Sequence, residues 1–154
     1  MTLKERLAQV TGVWEGAYTH LKTEGALLDQ HAARQETRLA GNRWYERIIY
    51  RWPAQAGAAG KEQQLDFRAS FDETGERMLF DEPDFFGQTF IVSDDIFVFP
   101  YHWKNRPGQR VVETIVFSSP TNKARLWQSF EQGELIKITV IVERRIDEQP
   151  AVWY

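Results

Sequence analysis

The sequence predicts an all-β protein, an antiparallel up-and-down closed barrel of eight to ten strands preceded by one short helix. Three observations predict it. Beyond Gly12 the apolar residues recur with a period of two, the signature of half-buried strands. Glycine, proline, asparagine or aspartate punctuates that pattern at short intervals, and no helix-period segment intervenes. A meander of this length removes its exposed edges by closing on itself.

The elements follow in order. Residues 2 to 10 place Leu3, Leu7 and Val10 at helical spacing behind Thr2, which suits an N-cap, so a short amphipathic helix is expected to act as a lid or plug. Strands are then expected at 13–21, 31–39, 43–52, 63–71, 76–80, 88–92, 95–103, 109–118, 123–131 and 134–146. Tight turns join them at Ala40-Gly41-Asn42, Asp72 to Gly75, Ser93-Asp94 and the two-residue Gln132-Gly133. The stretch AQAGAAG (54–60) reads as a flexible loop. The acidic run DEPDFFG (81–87) reads as a solvated loop able to gate the barrel mouth.

Composition bounds the function. At 154 residues, 42% hydrophobic and 27% charged, the chain is one globular domain. Six tryptophans and ten phenylalanines demand a large core or a lined cavity. A net charge of -3 provides no global basic field, so nucleic acid is not expected as a partner. The absence of cysteine excludes disulfides, thiol catalysis and cysteine-ligated metals. There is neither a signal-peptide stretch nor a run of about 18 apolar residues, so a cytoplasmic location without a membrane span is expected.

Alternation sorts the strands into faces. Trp14, Gly16, Tyr18 and His20 share one face; His31, Ala33, Gln35, Thr37 and Leu39 another; Trp44, Glu46, Ile48, Tyr50 and Trp52 a third; Leu65, Phe67, Ala69 and Phe71 a fourth. Glu46 stands out, because a carboxylate on an apolar wall must be paired or have its pKa raised. Glu113, between Val111 and Ile115, poses the same question. Each reads either as an acid–base residue or as a glutamate glued to one of the many arginines. His20 and His31 read as a proton shuttle or a haem or metal ligand, or else as rim histidines bonded to backbone. No His-x-x-x-His or carboxylate cluster with ligand spacing occurs, so no metal site is expected. Walker, Gly-x-Ser-x-Gly and glycine-rich phosphate motifs are absent.

Gly12-Val13-Trp14, opening the first strand after a short helix, resembles the Gly-x-Trp signature of the lipocalins and their calycin relatives. That resemblance implies a tryptophan closing the barrel base against an arginine near the end of the last strand, here Arg144 or Arg145. The block GVWEGAYTHL, with WYERIIYRW, further resembles an uncharacterised bacterial family of lipocalin-like barrels related to the phycobiliprotein bilin lyases, which implies tetrapyrrole handling.

The expected function is binding of a small hydrophobic or planar ligand in the lumen, near Trp14, Tyr18, His20, His31, Trp44, Tyr50 and Phe67, with Glu46 anchoring a polar group. The cofactor is left open. One alternative is a small lyase or isomerase pairing Glu46 or Glu113 with Tyr18 or His20. Another is an oligomeric module with a packed lumen: Phe97, Phe99, Tyr101 and Trp103 alternate with Ile96, Val98 and Pro100, so both faces of that strand are apolar and one side is expected to meet another subunit, as in a homodimer, or a covering segment.

Overall fold

The computed structural model describes residues 1–150. The helix α1 (Leu3–Ala8) precedes ten strands. These are β1 (Gly12–Leu21), β2 (Leu27–Ala40), β3 (Arg43–Trp52), β4 (Lys61–Phe71), β5 (Arg77–Asp81), β6 (Phe85–Ser93), β7 (Ile96–Trp103), β8 (Gln109–Ser119), β9 (Asn122–Glu131) and β10 (Glu134–Asp147). Each strand pairs antiparallel with the one before it, and β10 returns to β1, so the meander closes into a barrel. Closure satisfies the backbone donors and acceptors that an open sheet would leave at its two edges. Among the described residues no helix is long and apolar enough to cross a membrane.

The expected strands all form, several a few residues longer than their alternation showed. The largest difference is the run 81–87. Only its centre is a turn; Phe85 opens β6 with its ring buried in the core. The acidic residues that flank it conceal a strand start.

α1 forms because Thr2 and Glu5 make a reciprocal capping box, each side chain meeting the other's backbone N–H. Its Leu3 and Leu7 are buried beside Val10 and Trp14. The Lys4 N–H donates to Gly75 O at 3.0 Å and the Arg6 side chain reaches Asp94 O and Asp95, so the helix is tied across two hairpin turns and plugs one end of the barrel. The capping of this base, rather than helical propensity, keeps so short a helix folded.

Trp14 is fully buried at that base, its indole N–H donating to Val10 O at 3.1 Å and its ring edge-on to Phe117. The cation over the indole is Lys123, with Nζ 4.3 Å from the ring centroid. Of the two arginines expected at the base, Arg145 lies there and Arg144 does not. Arg145 does face Trp14 across the β1–β10 ladder, but its guanidinium donates to Thr11 O and reaches Glu148 at 3.8 Å. Arg144 is exposed opposite Glu15 on the outer surface and takes no part in closure. The preceding Gly12 has φ +135, and a Cβ there would stand 2.3 Å from Asp147 O, so both conformation and space require glycine.

One seam is short. β4 pairs with β5 only through Ser70 and Phe71, leaving residues 61–69 with a ladder to β3 alone.

Trp14→Ala is expected to cost about 3–5 kcal/mol, the range for a buried tryptophan. In a double-mutant cycle by urea unfolding, it should couple to Lys123→Met by at least about 0.5 kcal/mol and be additive with Arg144→Ala. Coupling to Arg144 instead would restore the arginine plug.

Candidate functional site

Among the described residues the lumen is not filled by side chains, which weighs against the packed-lumen alternative: it holds a cavity of about 400 Å³. One wall is aromatic, built from inward positions of β4, β6 and β7. Phe67 stacks on Phe85 at 5.8 Å and meets Phe99 edge-on at 5.7 Å, with Tyr101 and Trp103 extending the surface and Phe80 packed against Phe99 at 4.6 Å. Leu7 and Val10 of the helical plug form its floor. Gln63 and Leu65 on one side of the short β4–β5 seam, and Asp84 and Phe85 on the other, also line it.

The opposite wall is charged. Arg125 is buried on β9 and gathers three partners from three strands. Its Nη1 donates to Glu113 Oε1 at 3.1 Å, its Nε lies 3.0 Å from Glu143 Oε2, and its Nη2 donates to the Tyr18 hydroxyl. Lys123, two residues earlier and on the same face, pairs with Glu143 at 3.4 Å and donates to Gln35 Oε1. Gln35 in turn donates to Glu46 Oε1 at 2.6 Å, and the Trp44 indole donates to Glu46 Oε2 at 3.3 Å. The network thus runs from β3 through β2 to β9, β10, β8 and β1.

Gly16 makes room for it. It faces Glu143 across the ladder, and a Cβ there would lie 2.8 Å from Glu143 Cγ and 2.0 Å from Val142 O. With no side chain at 16, Glu143 folds inward to both cations.

Three carboxylates, Glu46, Glu113 and Glu143, face two cations, an excess of one negative charge when all are ionised. Burial pushes the Glu113 carboxyl above its ordinary range, Arg125 and the Trp127 indole resist, and Glu46 and Glu143 add to the rise. Burial likewise lowers Lys123, against the pull of Glu143. Tyr18 and Tyr50 are raised by burial and hold their protons.

Of the residues expected at the site, Trp44, Glu46, Tyr50, Phe67 and Glu113 line the cavity. Trp14, Tyr18, His20 and His31 do not. Trp14 belongs to the base. Tyr18 is fully buried, edge-on to Tyr50 and Trp127 and stacked on His31 at 4.9 Å, so these rings divide the cavity from the histidines. The expected acid–base couples of Glu46 or Glu113 with His20 are therefore not assembled, and Tyr18 meets Glu113 only through Arg125. Lys123, Arg125 and Glu143 were not foreseen. Their signal is the alternation of β9, where Lys123, Arg125 and Trp127 share a face with the apolar Ala124 and Leu126 opposite.

The histidines form a second group. His20 Nε2 lies 2.9 Å from His31 Nε2, His20 Nδ1 lies 2.8 Å from Thr139 Oγ1, and His31 Nδ1 lies 3.2 Å from Ala32 O. Asp29 faces His20 across the β1–β2 ladder and accepts from the Trp52 indole at 2.8 Å. Burial first, then Lys137 and His31, lowers His20 to about 4. The sequence showed no metal-ligand spacing because these three residues meet across a hairpin rather than along one strand.

Because Glu113 titrates above 4.5 when folded, the native state holds a proton there that the unfolded chain has released. The stability this contributes is complete below 4.5 and lost as the pH rises through the raised value. Glu113→Gln should therefore gain stability relative to wild type as the pH climbs through that window, read by urea unfolding at steps from about pH 4 to about pH 8. A pH-independent difference would contradict the raised carboxyl. Gly16→Ala should unfold the barrel or sever the Glu143 pairs, seen as loss of cooperative melting.

No family model and no curated protein matches the chain. Solved structures do. A protein of unknown function from the DUF3598 family of Nostoc punctiforme PCC 73102 matches with a TM-score of 0.71 at 16% identity, over 90% of this chain and 48% of its own. This chain spans about half the length of that protein. An S-type phycobiliprotein lyase from Guillardia theta matches with a TM-score of 0.66 at 10% identity, over 98% of this chain and 95% of its own. At these identities the likeness is one of fold alone.

Proposed function

We propose that the barrel binds a small, largely apolar, planar molecule in its lumen, oriented by a hydrogen-bond-donating or cationic end against Glu46 and Glu113. The observation that carries this reading is the 400 Å³ cavity itself, aromatic on one wall and carboxylate-bearing on the other. Its size falls within the usual range for small-molecule sites, and flat rings stack on such aromatic surfaces. Glu46 and Glu113, both on the cavity lining, offer acceptor oxygens to such a donor or cation. The resemblance of the barrel to a phycobiliprotein lyase supports a conjugated ligand.

The test compares two planar dyes by fluorescence titration, cationic thioflavin T and anionic anilinonaphthalene sulfonate. Thioflavin T should bind more tightly, and Glu46→Gln should weaken it by about tenfold, the worth of one charge-assisted contact. Equal binding of both dyes would remove the carboxylate anchor. Failure of both, with a ligand-free mass for the protein purified from its own host, would remove the binding reading altogether.

A second reading, self-association, draws on the outer face. Leu126, Ile136, Val140 and Val142 are exposed there, Val142 at 63%. Sedimentation velocity should show a concentration-dependent dimer that Val142→Lys abolishes. Catalysis by Glu46 or Glu113 is the weaker reading, since neither Tyr18 nor His20 opens to the cavity as its partner.

A further inference from the structure

We infer that His20, Asp29 and His31 form a binding site for an imidazole-preferring divalent metal ion of the zinc type, at the end of the barrel opposite the helical plug and separate from the lumen cavity.

The three side chains each offer one ligand atom, and these atoms lie within 4.8 Å of one another. The closest pair is already at coordination distance. Two nitrogens bound to one ion at about 2.0–2.1 Å stand about 2.9 Å apart at a right-angled geometry and about 3.3 Å apart at a tetrahedral one. His20 Nε2 and His31 Nε2 stand 2.9 Å apart. Asp29 is exposed, its oxygens accepting from the Gln30 N–H and the Trp52 indole, and already brings one of them within that 4.8 Å.

The outer atoms of the rings are arranged as a metal site requires. The Ala32 carbonyl is only an acceptor, so His31 Nδ1 carries the proton and His31 Nε2 presents a lone pair. His20 Nδ1 faces the Thr139 hydroxyl, which donates or accepts equally well. Without metal, Thr139 donates and His20 Nε2–H hydrogen-bonds to His31. With metal, the His20 proton sits on Nδ1 and is accepted by Thr139, so both Nε2 lone pairs turn to the ion and no proton is lost. Trp52 completes the outer shell: its indole holds Asp29 and its ring packs 4.3 Å from His31. Such second-shell partners fix the tautomer and the ring orientation of ligating histidines.

Three protein ligands leave a tetrahedral ion one open position, the arrangement of reactive rather than purely structural zinc. The ligand charge balances half of the ion's charge. Lys137 acts on His20 from β10 and opposes a second cation there, so it sets the affinity from above.

The test is calorimetric titration of tag-free protein with Zn²⁺ in a non-coordinating buffer, repeated with Co²⁺ while its visible d–d absorption is followed. One equivalent should bind, with the intense bands of a four-coordinate Co²⁺ ion. Asp29→Asn keeps the acceptor for Trp52 and should weaken binding by at least about tenfold, as should His20→Gln, while Thr139→Val falls in the range of about 10- to 100-fold. Lys137→Gln should tighten it. His102→Gln, remote and exposed, should change nothing. No binding, or binding indifferent to both Asp29→Asn and His20→Gln in proteins that melt normally, overturns the site and leaves a plain His20–His31 hydrogen bond.

Discussion

A barrel that carries charge on its inside must answer each buried ion with another, and in this protein Arg125 does most of that answering. Its guanidinium reaches Glu113, Glu143 and Tyr18, residues of β8, β10 and β1. Removing one partner of such a set leaves an uncompensated charge in a place with little water, which costs several kcal/mol. The strands around it must therefore keep their registers together. Gly16 and the tryptophan base follow from the same requirement. The first clears space for Glu143, and the second places an indole face under the Lys123 ammonium, which has lost part of its hydration.

Buried ion pairs are weak sources of net stability, because desolvation consumes most of the Coulombic gain. What the network contributes here is shape. Side chains locked by mutual pairing cannot collapse into the lumen, so the cavity survives between the charged wall and the aromatic one. Tyr18, Tyr50 and Trp127 then close it on the histidine side, meeting edge-to-face at 5.3 and 5.4 Å. The cavity thus lies on one side of these rings and the histidine group on the other. The cavity is bordered by the short β4–β5 seam, where the ladder is reduced to two residue pairs.

How much of this was legible in the sequence depended on which rule each strand obeys. β3 was legible in full: Trp44, Glu46, Ile48 and Tyr50 share the inner face as alternation requires, and its ladders to β2 and β4 run without a bulge. β9 and β10 were not, because they invert the usual pattern. Lys123, Arg125 and Glu143 point inward while Leu126, Val140 and Val142 point to the outside. A rule that places charge outside fails on such strands, although the period of two survives. The histidine cluster was legible only in part: alternation singles out His20 and His31, but Asp29 lies before the expected start of the second strand at 31. Its members belong to two strands, and the regular register of β1 with β2, which holds as far as His20 and shifts only beyond it, sets His20 opposite Asp29.

The inversion of β9 and β10 links the two halves of the molecule. A strand has two faces and a fixed stock of residues, so moving lysine, arginine and glutamate inward moves valine, leucine and isoleucine outward. The same substitution of faces that builds a polar wall in the lumen leaves an apolar stripe on the surface, and neither is separable from the other without rewriting both strands. An all-apolar lumen of this diameter would pack shut or take any greasy molecule. One wall of paired charge, held by an arginine that touches three strands, keeps the cavity open and gives an occupant a preferred end, and the exposed stripe is what that arrangement costs the surface.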